Sequence, residues 1–134
     1  MLRANGIEYH VEDFEKEVTF FKDVLKCPVV REVPGRLTSF RLADNFVVLV
    51  LQRDTAHPAY TNLRGLTVDI TVDDVDAKYE ELKARGLTPR QTPVMQPSGI
   101  KNFYFETPGG LTIEYEHPTT PQAEATLKGI FGGS

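Results

Sequence analysis

A few titratable side chains fall at spacings that could do chemistry. Glu8 and His10 are two apart in "GIEYHVED". On a strand that spacing puts both on one face, opposite Ile7, Tyr9 and Val11. A carboxylate beside an imidazole can exchange protons with a substrate or hold a ligand. Glu114 lies in "ETPGGLTIEYEH", residues 106–117, where Leu111, Ile113 and Tyr115 alternate with Thr112, Glu114 and Glu116. A strand with carboxylates opposite its apolar side either meets water or lines a pocket. Asp69 is set the same way in "LTVDITVDD", opposite Val68 and Ile70.

Other residues share these polar faces. Arg41 falls opposite Phe40 and Leu42, and Asn102 and Tyr104 fall opposite Phe103 and Phe105. Val47, Leu49 and Leu51 offer an apolar wall. Together they describe a lining that is apolar on one side and acidic on the other, with one arginine. It suits an amphiphilic organic molecule with a cationic or donor-rich end. Glu114 with His10 is the candidate acid–base pair, and Glu8, Arg41, Asp69 and Tyr104 are candidate ligand contacts. Glu8, His10, Asp69 and Glu114 match no metal-ligand spacing, so no metal is expected there. His57 and His117 fall in or beside loops and are expected in solvent. A Gly-rich phosphate loop, a cysteine pair and a nucleophile elbow are all missing, so no cofactor is expected.

The elements that must position these residues can be read from periodicity. "GIEYHVED" alternates as a half-buried strand. Asp13 can cap a helix over 13–26, with Phe14, Val18, Phe21 and Leu25 as its apolar stripe. "CPVVREV", "RLTSFRLA" and "NFVVLVLQ" follow as strands. Residues 53–65 are polar and read as a linker. The order then repeats: a strand at "LTVDITVDD", a helix over 74–85 ending at Gly86, and strands at "TPRQTPV", "KNFYFET" and "LTIEYEH". The tail, 118–134, can form one short helix. The predicted organisation is therefore a first module at 1–52, the linker, and a second module at 66–117.

Val11-Glu12-Asp13-Phe14 overlays Val72-Asp73-Asp74-Val75, and "ADNFVVLVLQ" overlays "PGGLTIEYEH", as in an internal duplication. Each half has one helix, which can cover one face of its sheet. The expected fold is α+β: two βαβββ modules with helices outside and the uncovered faces curled around a cup.

The bulk properties narrow the function classes. The chain has 134 residues and a formal net charge of −4, which gives no reason to expect nucleic acid or an anionic membrane as partner. The first residues lack an apolar signal core, and "FVVLVL" is too short to span a bilayer. The single cysteine, Cys27, excludes an intrachain disulfide and points to a reducing cytoplasm.

These segments resemble a known group. "VEDFEKEVTFFKDVLK" is similar to the strand-to-helix opening of the vicinal oxygen chelate superfamily, which includes glyoxalase I, bleomycin resistance proteins and extradiol dioxygenases. The shared features are Asp13, the pair Phe20 and Phe21, and Leu25; Lys26 stands where the pattern has Gly. "ETPGGLTIEYEH" resembles the closing Asp-Pro-x-Gly-x-x-x-Glu segment, with Pro108, Gly110 and Glu114 matching and Thr107 in place of Asp.

The resemblance implies paired βαβββ modules, a homodimer, and in metal-dependent members four ligand positions. Carried over, these fall on Gly6, Leu49, Thr67 and Glu114. Only Glu114 is a good ligand, so the resemblance favours the metal-free members, such as the bleomycin resistance proteins that sequester antibiotics. Leu49 and Thr67 then become candidate ligand contacts. The expected function is small-molecule binding without a catalytic metal. The alternative is a small lyase, isomerase or dioxygenase relative that uses Glu114 with His10.

Overall fold

The computed structural model describes residues 2–53 and 63–132. His57 and most of the expected linker lie outside them. The chain divides into two compact units. The first comprises Met1–Leu66 with Glu106–Leu111, and the second Thr67–Phe105 with Thr112–Ser134. Each has a four-stranded, open, mixed sheet, so the architecture is the expected α+β with two βαβββ modules.

In the first unit the strands are β1 (Gly6–Val11), β2 (Val29–Val33), β3 (Leu37–Ala43) and β4 (Phe46–Gln52), in the order β1-β4-β3-β2. Strands β1 and β4 are parallel, which requires a crossover, and helix α1 (Phe14–Thr19) supplies it. Asp13 accepts a hydrogen bond from the Lys16 amide at 3.1 Å and so fixes where the helix starts. The helix widens over Phe20–Val24, where Leu25 N–H reaches back five residues to the Phe20 carbonyl. It ends at Lys26, in the left-handed region at φ 56°, and Cys27 N–H closes the turn on the Phe21 carbonyl. The turn that glycine makes in the family pattern is therefore kept, with a lysine bearing the Cβ penalty. Phe14, Val18, Phe21 and Leu25 are buried as predicted, and Phe21 stacks on Phe40 with ring centroids 4.9 Å apart.

In the second unit β5 (Thr67–Thr71), β6 (Val94–Met95), β7 (Ile100–Glu106) and β8 (Thr112–Pro118) take the equivalent order β5-β8-β7-β6. Helix α2 (Val75–Ala84) is capped by Asp74, which accepts from the Ala77 amide at 3.0 Å. Val75, Tyr79 and Leu82 are buried, and Tyr79 meets Phe103 edge-on at 5.4 Å. The strand expected at "TPRQTPV" shrinks to Val94–Met95. Pro89 and Pro93 each lack an amide donor, so the earlier part of that segment pairs poorly with a ladder. The tail forms helix α3 (Pro121–Phe131), capped by Thr120. Among the described residues no helix is long and apolar enough to cross a membrane.

In each sheet one face carries the core against its helix. In the first unit that face holds Tyr9, Val11, Phe40, Val48 and Val50, and in the second Val68, Phe103, Ile113 and Tyr115. Burying each such side chain is worth about 1.5–3 kcal/mol. The alternate residues are left on the opposite face.

Candidate functional site

Strand register decides what each uncovered face presents. In the second unit Asp69 on β5 pairs with Glu114 on β8. Asp69 is exposed, but Glu114 is only 8% and Glu116 only 3% exposed. Strand β8 therefore does not turn its carboxylates to water. Carboxylate oxygens of Asp69, Glu114 and Glu116 all lie within 4.8 Å of one another.

Crowded, desolvated carboxylates must find donors or take up protons. Glu114 finds donors. Asn102 Nδ2 donates to its Oε2 at 2.9 Å, and Gln96 Nε2 donates to Asn102 Oδ1 at 3.1 Å, which orients the amide. Tyr104 is exposed beside Glu114; partial burial first, then the Glu114 charge, raises its hydroxyl above the ordinary phenol range. Glu116 is different, because its Oε1 is buried with no hydrogen-bond partner. Burial pushes its carboxyl up to about 9, and hydrogen bonds and charge from Asp69 and Glu114 add to the rise. At neutral pH Glu116 holds a proton.

In the first unit the uncovered face lines a concavity of about 640 Å³. Leu37, Val47 and Leu49 form its apolar floor, and Glu8, Arg31 and Ser39 bring polar groups to it. The guanidinium in this concavity is Arg31's. Arg41 is exposed and donates to the Asp44 carbonyl in its own hairpin at 3.3 Å. His10 follows Glu8 on β1, half-buried and opposite Leu51. Thr67 is exposed at the start of β5, paired with Thr112. His117, next to last in β8, is half-buried and not in open solvent, with Nδ1 3.1 Å from the Val72 carbonyl.

The positions that bind metal in relatives can be tested on this geometry. Gly6 has φ 149°, and a Cβ there would lie 1.9 Å from the Val47 carbonyl oxygen. No ligating side chain fits at that position without moving the backbone. Leu49 has no donor atom, and Thr67 offers one hydroxyl. The four positions do not fit a catalytic transition metal. Asp69, Glu114 and Glu116 form an all-oxygen set close enough for one hard cation.

Two features of the first unit escaped the sequence reading. One is Arg31, whose pairing with Ser39 follows a register shift between Val29 and Arg31. The other is Glu17, fully buried. It accepts hydrogen bonds from the Tyr9 hydroxyl, the Thr107 hydroxyl and the Gly109 amide, each at 2.6 Å. Burial first, then the Glu17 carboxylate, drives the Tyr9 hydroxyl far above its usual range. Thr107 also accepts from the Leu111 amide at 3.1 Å. An aspartate at 107 would set a second carboxylate against Glu17, whereas the threonine hydroxyl donates to it. Glu17 stands at the i+3 place of the stripe Phe14, Val18, Phe21, and that was the signal available.

Comparison with known proteins agrees with this architecture. The family model described as Glyoxalase/Bleomycin resistance protein/Dioxygenase superfamily matches residues 3–115. Among curated proteins no sequence matches the chain. Among solved structures, a glyoxalase/bleomycin resistance protein/dioxygenase from Nocardioides superposes with TM-score 0.75 at 20% identity, covering 90% of this chain and 86% of that one. Lactoylglutathione lyase from Agrobacterium tumefaciens gives 0.69 at 17% identity, covering 89% and 96%. TioX from Micromonospora sp. ML1 gives 0.69 at 18% identity, covering 87% and 99%. At such identities the likeness is one of fold.

Proposed function

Because the chain belongs to the Glyoxalase/Bleomycin resistance protein/Dioxygenase superfamily, we propose that it is a small-molecule-binding protein of the sequestering kind, without a catalytic metal at the family position. Its second sheet receives the cationic or donor-rich end of an organic ligand. The observation that carries this reading is the cluster of Asp69, Glu114 and Glu116 on the sheet face opposite the apolar core. Asn102 holds Glu114 in place, so the carboxylate is ordered before a ligand arrives. A ligand ammonium or hydroxyl would add the donors that the cluster lacks.

The acid–base alternative needs His10 and Glu114 to act on one molecule. They belong to different units, and no observation within either unit pairs them. A homodimer in the cytoplasm, with an antibiotic as the sequestered ligand, belongs to the same proposal. A solution mass of one chain at micromolar concentration would remove the dimer.

The deciding experiment is a thermal-shift screen over small metabolites and antibiotics, followed by titration of each hit into wild type and Glu114→Gln. Loss of one charge-assisted hydrogen bond is worth about 1.5–3 kcal/mol, so affinity should fall about ten- to a hundredfold with the fold intact. Equal affinities would defeat the reading. Elemental analysis of protein purified without chelator checks the metal-free half. Stoichiometric zinc, nickel, iron or manganese that is lost in Glu114→Ala would overturn it.

A further inference from the structure

The first sheet carries a row of its own. Glu8 on β1 pairs with Leu49 on β4, Leu49 with Ser39 on β3, and Ser39 with Arg31 on β2. Residues in register across neighbouring strands share a face and stand side by side. All four line the same concavity of about 640 Å³.

Each polar member of the row lacks a counterpart. Ser39 is 8% exposed, and among the described residues its hydroxyl has no hydrogen-bond partner. Glu8 and Arg31 are exposed and form no ion pair or side-chain hydrogen bond among the described residues. They are carried by the two outer strands of the sheet, three strand steps apart, so their Cα atoms are separated by roughly 14 Å. Aliphatic floor from Leu49, Val47 and Leu37 lies between the two ends. The apolar floor gains by being covered, and the Ser39 hydroxyl, which has no partner among the described residues, can donate to whatever covers it.

We propose that this row is a binding subsite for an amphoteric organic molecule. Its carboxylate pairs with Arg31 and accepts from the Ser39 hydroxyl, its aliphatic body covers Leu49 and Val47, and its ammonium pairs with Glu8. Charge complementarity selects this occupant. A lone anion leaves Glu8 facing an uncharged end, and a lone cation does the same to Arg31. The inference goes beyond the function proposed above. It uses residues of the first unit only, whereas the Glu114 test reads the second, so either can fail alone.

The test is calorimetric titration of the full chain with ω-amino acids of increasing length: aminobutyrate, aminohexanoate and aminooctanoate, each with its amine at the far end. Octanoate and octylammonium serve as single-charge controls. One length should bind about tenfold or more tighter than either control, since the second charge-assisted bond is added on a prepared floor. Arg31→Gln should weaken the best amino acid and octanoate by about tenfold and leave octylammonium within about twofold. Glu8→Gln should give the mirror image. Ser39→Ala should give a smaller loss for the carboxylates alone. The mirror pattern also excludes capture of the amine by the acidic cluster of the second unit, which Glu8→Gln does not touch. Affinity independent of chain length, equal affinity for one-charge and two-charge probes, or no binding by any probe would each overturn the proposal. Both charge variants are at exposed positions, and unchanged melting curves verify their fold.

Discussion

The most deeply buried glutamates of the two units, Glu17 and Glu116, are stabilised in opposite ways. Glu17 in the first unit is surrounded by three donors. Glu116 in the second faces two other acids and keeps a proton instead. A carboxylate with a full set of donors is locked, because any movement breaks several bonds at once. A carboxylate neutralised by a proton has given up charge that a cationic partner could restore. The difference separates a structural device from a site prepared for exchange, although both follow from the same desolvation penalty.

The largest effect should come from breaking the locked member. Glu17→Ala removes the acceptor from Tyr9, Thr107 and Gly109 together and leaves two buried donors and one part-buried donor unpaired. Unfolding free energy should fall by about 3–5 kcal/mol. Thr107→Val, which removes one donor, should cost about 1–2 kcal/mol. Urea denaturation measures both. A loss under about 1 kcal/mol for Glu17→Ala would mean that water replaces the carboxylate and that the contrast with Glu116 is false.

Glu116 sharpens the comparison through pH. Its folded-state value, about 9, lies above the ordinary carboxyl value of 4.5, so between those limits the folded state binds more protons than the unfolded one. Stability from this group is fully present below pH 4.5 and is lost as pH rises through 9. Melting temperature of wild type relative to Glu116→Gln should therefore decline between about pH 4.5 and 9 and level off on either side. A flat difference would show that Glu116 ionises normally.

The smallest effect concerns how the two helices end. The helix of the first unit stops at Lys26 with φ 56°, and that of the second at Gly86 with φ 99°. Lys26→Gly should stabilise by about 0.5–1 kcal/mol, the left-handed penalty less the added freedom of the unfolded chain. No gain in the denaturation midpoint would mean that the lysine side chain contributes something the turn geometry does not show.

The uncovered faces differ along the same lines. Glu8 and Asp69 hold equivalent places beside Leu49 and Glu114. Where the first sheet continues to Ser39 and Arg31, the second has Asn102 hydrogen-bonded to Glu114, with Val94 paired beyond it. One scaffold, repeated, presents an aliphatic floor with opposite charges at its edges in one copy and a cluster of acids in the other.

Much of this was legible in the residues themselves. Alternation and helical spacing depend on local geometry, so the strand–helix order, the cap Asp13, the apolar stripes and the polar face of β8 could be read directly. The close of the first helix was not legible, since Lys26 stands where the family pattern has glycine, yet Lys26 adopts the left-handed conformation. Neighbours across strands were not legible, because register is set by pairing between segments far apart in the chain. Only the folded structure put Asp69 beside Glu114, aligned Arg31 with Ser39, Leu49 and Glu8, and closed Thr107 and Gly109 onto a glutamate some ninety residues earlier. The proton on Glu116 belongs to the same class. A carboxyl group's affinity for a proton depends on which charges and how much water surround it, and those surroundings exist only once the sheet has formed.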